Sequence, residues 1–172
     1  DRAAAAAKAA MMPLLPPIDR ALREGGVALR KLASKVARDF EEARAADRAL
    51  RQPQTAGIAA ELERRLLHYA AEVEGSGPKV ESYDSRLSTL AWAANGGWAI
   101  YDLVDPRSEA AYTKVARKVI REAQWDVEHA VAPILRKLDA ASVKKLVEAE
   151  TLYRHNLHVD AYDGPWRPAY HR

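Results

Sequence analysis

His155 and His158 stand three residues apart near the end of the last amphipathic stretch, with Glu150 and Asp160 close enough in sequence to add oxygen ligands. Two imidazoles at that spacing can share a helix face, as a zinc-type site requires. The ordinary alternative is a pair of solvated histidines at a helix end, where the dipole favours cations. A carboxylate-bridged di-metal bundle needs Glu-x-x-His on two helices. This chain offers Asp126-Val-Glu-His129 once, with Asp in place of Glu, and His129 falls off the apolar stripe of its segment. His68 lies between Arg64 and Glu72, where i,i+4 pairing accounts for it. There is no Gly-rich phosphate loop after a strand, no Gly-x-Ser-x-Gly elbow and no His-Glu-x-x-His pair. With no cysteine, thiolate metal sites and cysteine nucleophiles are excluded. The expectation is a chain that is not an enzyme, with no catalytic residue, cofactor or metal.

The residues with the strongest binding chemistry are Lys114, Arg117, Lys118 and Arg121, a basic stripe opposite an apolar one, which Trp125 continues by a turn. Trp and Arg are enriched where interfaces concentrate their binding energy. Such a face could dock on an acidic protein surface, on anionic headgroups or on nucleic-acid bases. Equally, Trp125 could pack beneath the chain's own C-terminal tail and leave the cations merely solvated. That tail carries Trp166 and Tyr170, which join the interface candidates. Trp92 and Trp98 sit in the most apolar segment and are expected in the core.

These residues need helices to present them. From Ile18, Leu22, Leu29, Leu32, Val36 and Phe40 recur at helical spacing, predicting one long helix to about Arg51, before Pro53. Gly25 and Gly26 imply either fraying there or a close neighbouring backbone. A second helix is expected over Thr55 to Glu74, ended by Gly75-Ser-Gly-Pro78. A third, capped by Asp84 or Ser85 and running to Val104, is apolar all round and so belongs in the middle. A fourth starts at Asp105-Pro106 and should kink or restart at Pro133. Asp139 or Ser142 caps a fifth, through about Leu157.

The expected fold is therefore an all-α bundle of four to five helices. Residues 1–17 read as an Ala-rich segment followed by an extended strap at Pro13 to Pro17, residues 18–158 as one helical domain, and residues 159–172 as an extended aromatic tail. The length of 172 residues suffices for a single core without metal or disulfide. A net charge of +3, from 27 basic and 24 acidic residues, is weaker than a dedicated nucleic-acid binder shows. The longest uncharged stretch, Leu87 to Tyr101, is too short to span a bilayer, so a soluble protein without a transmembrane segment is expected.

The sequence begins at Asp1 rather than Met, which implies either removal of a targeting segment or a start that is not included, and the expectation is a processed protein, organellar (chloroplast or mitochondrion) or exported. A basic, cysteine-free bundle with a proline-bearing N-terminal strap resembles extrinsic subunits of photosynthetic complexes and supernumerary subunits of respiratory ones. That resemblance is of architecture alone, and it implies a non-catalytic accessory subunit docked on other proteins of a larger assembly. The alternative is a nucleic-acid-binding helical module that uses the Trp-bearing basic face.

Overall fold

The computed structural model describes residues 2–51, 53–76, 82–95 and 110–163, with the side chains of 49, 50, 53–56, 110–113, 115, 116 and 157–163 left aside. Among the described residues the chain forms six α-helices and no strand. They are α1 Arg2–Met11, α2 Leu15–Ala46, α3 Pro53–Glu74, α4 Tyr83–Ala94, α5 Ala110–Arg136 and α6 Ala140–Asp163. The all-α bundle expected from periodicity is what the chain adopts. No described helix is long and apolar enough to cross a membrane.

The centre of the bundle is α2, which packs on α3, α5 and α4. Its buried positions Ile18, Leu22, Leu29, Leu32, Val36 and Phe40 are the stripe predicted from spacing. α3 answers with Ile58, Leu62, Leu66, Ala70 and Val73. The Ala-rich α1 lies on α6, burying Ala4, Ala7 and Met11.

Pro13 to Pro17 do not form an extended strap. Met12–Leu14 make a 3-10 turn and α2 begins at Leu15, so all three prolines fall in first-turn positions. There the missing N–H is no loss and the fixed φ already suits a helix. Gly25 and Gly26 do not fray α2 either. They form a notch filled by side chains rather than by backbone: a Cβ on Gly25 would stand 2.5 Å from Leu90 Cδ1, and one on Gly26 would overlap the Glu74 side chain.

α2 ends at Ala46, short of Arg51, which turns back from a 3-10 segment to donate from Nε to the Arg44 carbonyl and from Nη2 to the Ala45 carbonyl. α3 ends at Gly75 with φ +72°, where the Gly75 N–H reaches the Glu72 carbonyl and the Ser76 N–H the Ala71 carbonyl. That pair of bonds is the Schellman termination, and it requires a left-handed residue that glycine supplies without strain. Arg86 completes the same end by donating to the Val73 and Glu74 carbonyls at 2.9 and 3.0 Å.

α4 departs most from expectation. It does not sit in the middle, and Trp92 is not core: it is 54% exposed, while Leu87, Leu90, Ala93 and Ala94 form the buried side. α4 packs on α5, α3, α2 and α6 through that side, and Trp92, two residues from Leu90, faces the other way. Its N-cap is Ser82, whose hydroxyl accepts the Ser85 N–H at 3.0 Å. Trp98 and the expected helix start at Asp105-Pro106 lie outside the described residues. α5 runs through Pro133 without a restart. Pro133 stands one turn from the helix end, so the loss is confined to the bond that His129's carbonyl would have accepted.

α6 is capped by Asp139, whose carboxylate accepts the Ser142 N–H at 3.2 Å and its hydroxyl at 2.8 Å. The helix continues past Leu157 to Asp163, which corrects the reading of residues 159–163 as extended tail. No helix breaker occurs before Gly164-Pro165.

Several carboxylates here are held below their ordinary range. Hydrogen bonds from Arg64 and Arg65 bring Glu61 down from 4.5 to about 2, Arg30 lowers Glu74, and Ser142 lowers Asp139. A carboxylate with a depressed folded-state pKa contributes stability that is present above its unfolded value and lost as pH falls through the folded one. The thermal midpoint should therefore decline as pH is lowered from 4.5 towards 2, and Glu61→Gln should flatten that slope at its acid end. Circular-dichroism melts across this range check it, and equal midpoints for wild type at pH 3 and pH 6 would contradict it.

Candidate interaction face on helix α5

α5 is held by a buried stripe, Ile120, Ala123, Val127, Val131 and Ile134, set against α2 and α4. Each large apolar side chain so buried is worth about 1.5–3 kcal/mol, so the stripe fixes the helix in place. An ion pair then marks its rotation. Lys35 Nζ on α2 donates to both Asp126 and Asp39 at 2.7 Å, and these bonds raise the Lys35 pKa. Partly exposed pairs of this kind contribute no more than about 1 kcal/mol. Their consequence is directional: with Asp126 turned inward to α2, its neighbour Trp125 is left outside, 58% exposed.

Trp125 is not free to rotate at will. The His129 ring stacks on it with centroids 3.6 Å apart and planes 22° from parallel. His129 Nδ1 lies 2.8 Å from the Trp125 carbonyl, and because a carbonyl only accepts, that nitrogen carries the proton. The indole is thus pre-organised, with one face against imidazole.

Lys114, Lys118, Arg121, Glu122 and Trp125 line an open groove of about 710 Å³. Their spacing of four, three, one and three residues sets them along one helix face, spanning roughly 16 Å at 1.5 Å per residue. The wall is almost all carbon, supplied by the indole and the aliphatic stems of the basic residues. Arg117 is exposed on the same helix beside the groove. Among the described residues these four cations make no ion pair, whereas Arg30, Lys35, Arg44, Arg64 and Arg65 are all paired.

The chain matches no family model, no curated protein and no solved structure. Function must therefore be argued from the chain's own residues.

The structure brings Lys114, Lys118, Arg121 and Trp125 to one groove and sets Arg117 at its side, as their spacing implied. Trp166 and Tyr170 lie outside the described residues, and with them the question of whether the tail covers Trp125. Two participants escaped the sequence reading. Glu122 is in the groove, and His129, which the sequence offers only as a metal-ligand candidate, is the stacking partner of Trp125; its i+4 spacing from that residue is the available signal.

Of the metal candidates, Glu150 has another role. Glu150, buried at 6% exposure, accepts the backbone N–H groups of Tyr83 at 2.9 Å and Asp84 at 3.3 Å, with Arg154 Nε 3.9 Å away. It is a helix-capping carboxylate. His155 is exposed on α6, and the side chains of His158 and Asp160 lie outside the description. Among the described residues no group of three His, Asp or Glu side chains could hold a metal ion. His68 pairs with Glu72 at 3.0 Å, as its spacing suggested.

Proposed function

We propose that the chain is a non-catalytic docking subunit that binds an acidic protein surface of a larger assembly through the outer face of α5. The observation that carries this is the conjunction of an exposed, stacked tryptophan with four cations on one helix that make no ion pair among the described residues. Burying an indole rigidly held in advance costs little ordering entropy, and it converts directly into affinity. The reading of the face as a nucleic-acid platform is weaker because the chain as a whole is nearly charge-balanced, at 27 basic to 24 acidic residues.

The test is native electrophoresis of the tagged chain from the cells that make it. Wild type should migrate within a large complex, and Trp125→Ala should weaken that association by about 2 kcal/mol or more, roughly thirty-fold. Because Trp125 is exposed, the variant should keep its helical circular dichroism. Deleting residues 164–172 asks separately whether Trp166 and Tyr170 belong to the same interface. Undiminished assembly of Trp125→Ala would end the proposal.

A further inference from the structure

The groove contains more information than its net charge, because its cations, its carbon wall and its single carboxylate are ordered along the helix. We propose that its occupant is an acidic amphipathic helix, seating one large apolar side chain against Trp125 and the basic stems, with its carboxylates on Lys114, Lys118 and Arg121. This inference rests on the reading of α5 as a docking face and names the chemistry of the partner.

Charge complementarity supplies the sign. Lys114, Lys118 and Arg121 follow one another at about one helical turn, near 5.4 Å, which is the repeat of glutamates spaced three and four residues apart on a partner helix. The carbon wall supplies the second requirement: a wholly polar anion would leave a groove of about 710 Å³ lined by indole and methylenes in contact with water. A wholly apolar ligand would instead have to desolvate three cations without pairing them. Only a ligand carrying both chemistries on one face satisfies the groove.

Two observations tell against other polyanions. His129 already covers one face of the Trp125 ring, so at most one face remains for a base to stack on. Glu122 stands inside the groove between Arg121 and Trp125 and repels any chain of evenly spaced phosphates laid along it. A helix can avoid that repulsion by ending its carboxylates opposite Arg121 and presenting its apolar anchor beyond.

The probe is a labelled helical peptide of about fifteen residues, with Glu on three successive turns of one face and a single Leu one turn further on. Its binding to the full chain is read by fluorescence anisotropy. We expect micromolar affinity, about ten-fold weaker when the three Glu are Gln, when the Leu is Ala, or when the protein carries Arg121→Glu. Glu122→Gln should tighten binding about three-fold, an effect opposite in sign to any loss of folding. The assignment is overturned if the peptide does not bind, if its Gln version binds equally, or if Glu122→Gln weakens binding. It is also overturned if a single-stranded oligonucleotide or phosphatidylserine-containing vesicles bind the chain more tightly than the peptide. If the peptide fails while Trp125→Ala still releases the chain from its native complex, only the chemistry of the occupant is wrong. If Trp125→Ala leaves that complex intact, the docking reading itself has failed.

Discussion

Glu150→Ala is expected to lower the thermal midpoint by roughly 6–12 °C, corresponding to about 3 kcal/mol in a chain of this size. The carboxylate lies at 6% exposure and binds the first two N–H groups of α4, Tyr83 at 2.9 Å and Asp84 at 3.3 Å. Ser82 Oγ takes the third, from Ser85. Together these satisfy three of the four donors that an α-helix cannot satisfy internally. A hydrogen bond to a charged group is worth about 1.5–3 kcal/mol net, and its removal strands the partner. The site also sits at the positive end of the α4 dipole. Glu150→Gln should cost less than alanine, since one oxygen can still accept while the amide now opposes a second donor. Chemical denaturation of the three proteins gives the ordering directly. A Glu150→Ala variant as stable as wild type would mean that water replaces the carboxylate without penalty.

The start of α4 is where four helices are tied together. Glu150 joins it to α6, the Tyr83 hydroxyl donates to Asp19 of α2 at 2.8 Å, and Arg86 closes the end of α3 with its guanidinium 5.0 Å from the Tyr83 ring centre. α5 then packs on α4 and α2, so the orientation of the docking face depends on this junction. A carboxylate that looked in sequence like a nominee for a metal site proves to be part of the framework that positions another site.

Periodicity showed which face of α2 is buried, because that helix is long enough for a stripe to repeat three or more times. It also showed that Lys114, Lys118, Arg121 and Trp125 share a side, since helical spacing alone decides that. It failed on α4, where Trp92 and its neighbours look apolar in every direction: burial depends on how many helices surround an element, which no local pattern records. Pro13 to Pro17 read as a strap and prove to be helix starts for a related reason. A proline cluster breaks a helix it interrupts and starts a helix it precedes, and only the position of the first turn distinguishes the two. The contacts of Glu150 with Tyr83 and Asp84, 67 and 66 residues away, leave no trace in spacing at all.

The Gly25 notch yields a sharper test of packing than single substitutions can. Adding a β-branched side chain there drives atoms into Leu90 Cδ1, 2.5 Å from the ideal Cβ position, with Val73 Cγ1 at 3.5 Å behind it. Both neighbours are fully buried, so neither can swing into solvent. Overpacking of this kind costs about 1–3 kcal/mol, partly offset by the few tenths that any residue gains over glycine in a helix, so Gly25→Val should lose about 2 kcal/mol. Leu90→Ala alone should lose about 3 kcal/mol by opening a cavity at the same place. Combined, they should cost about 3 rather than 5 kcal/mol, because the valine occupies the space the leucine vacates, a coupling of about 2 kcal/mol. Gly26→Ala makes the contrast. Its obstacle is the Glu74 side chain at the bundle's rim, which can move away at the expense of the exposed pair with Arg30, so a loss of at most about 1 kcal/mol is cancelled by a helix-propensity gain of similar size. If urea denaturation finds Gly25→Val and Leu90→Ala additive, the close approach of α2 to α4 is not what selects glycine at position 25.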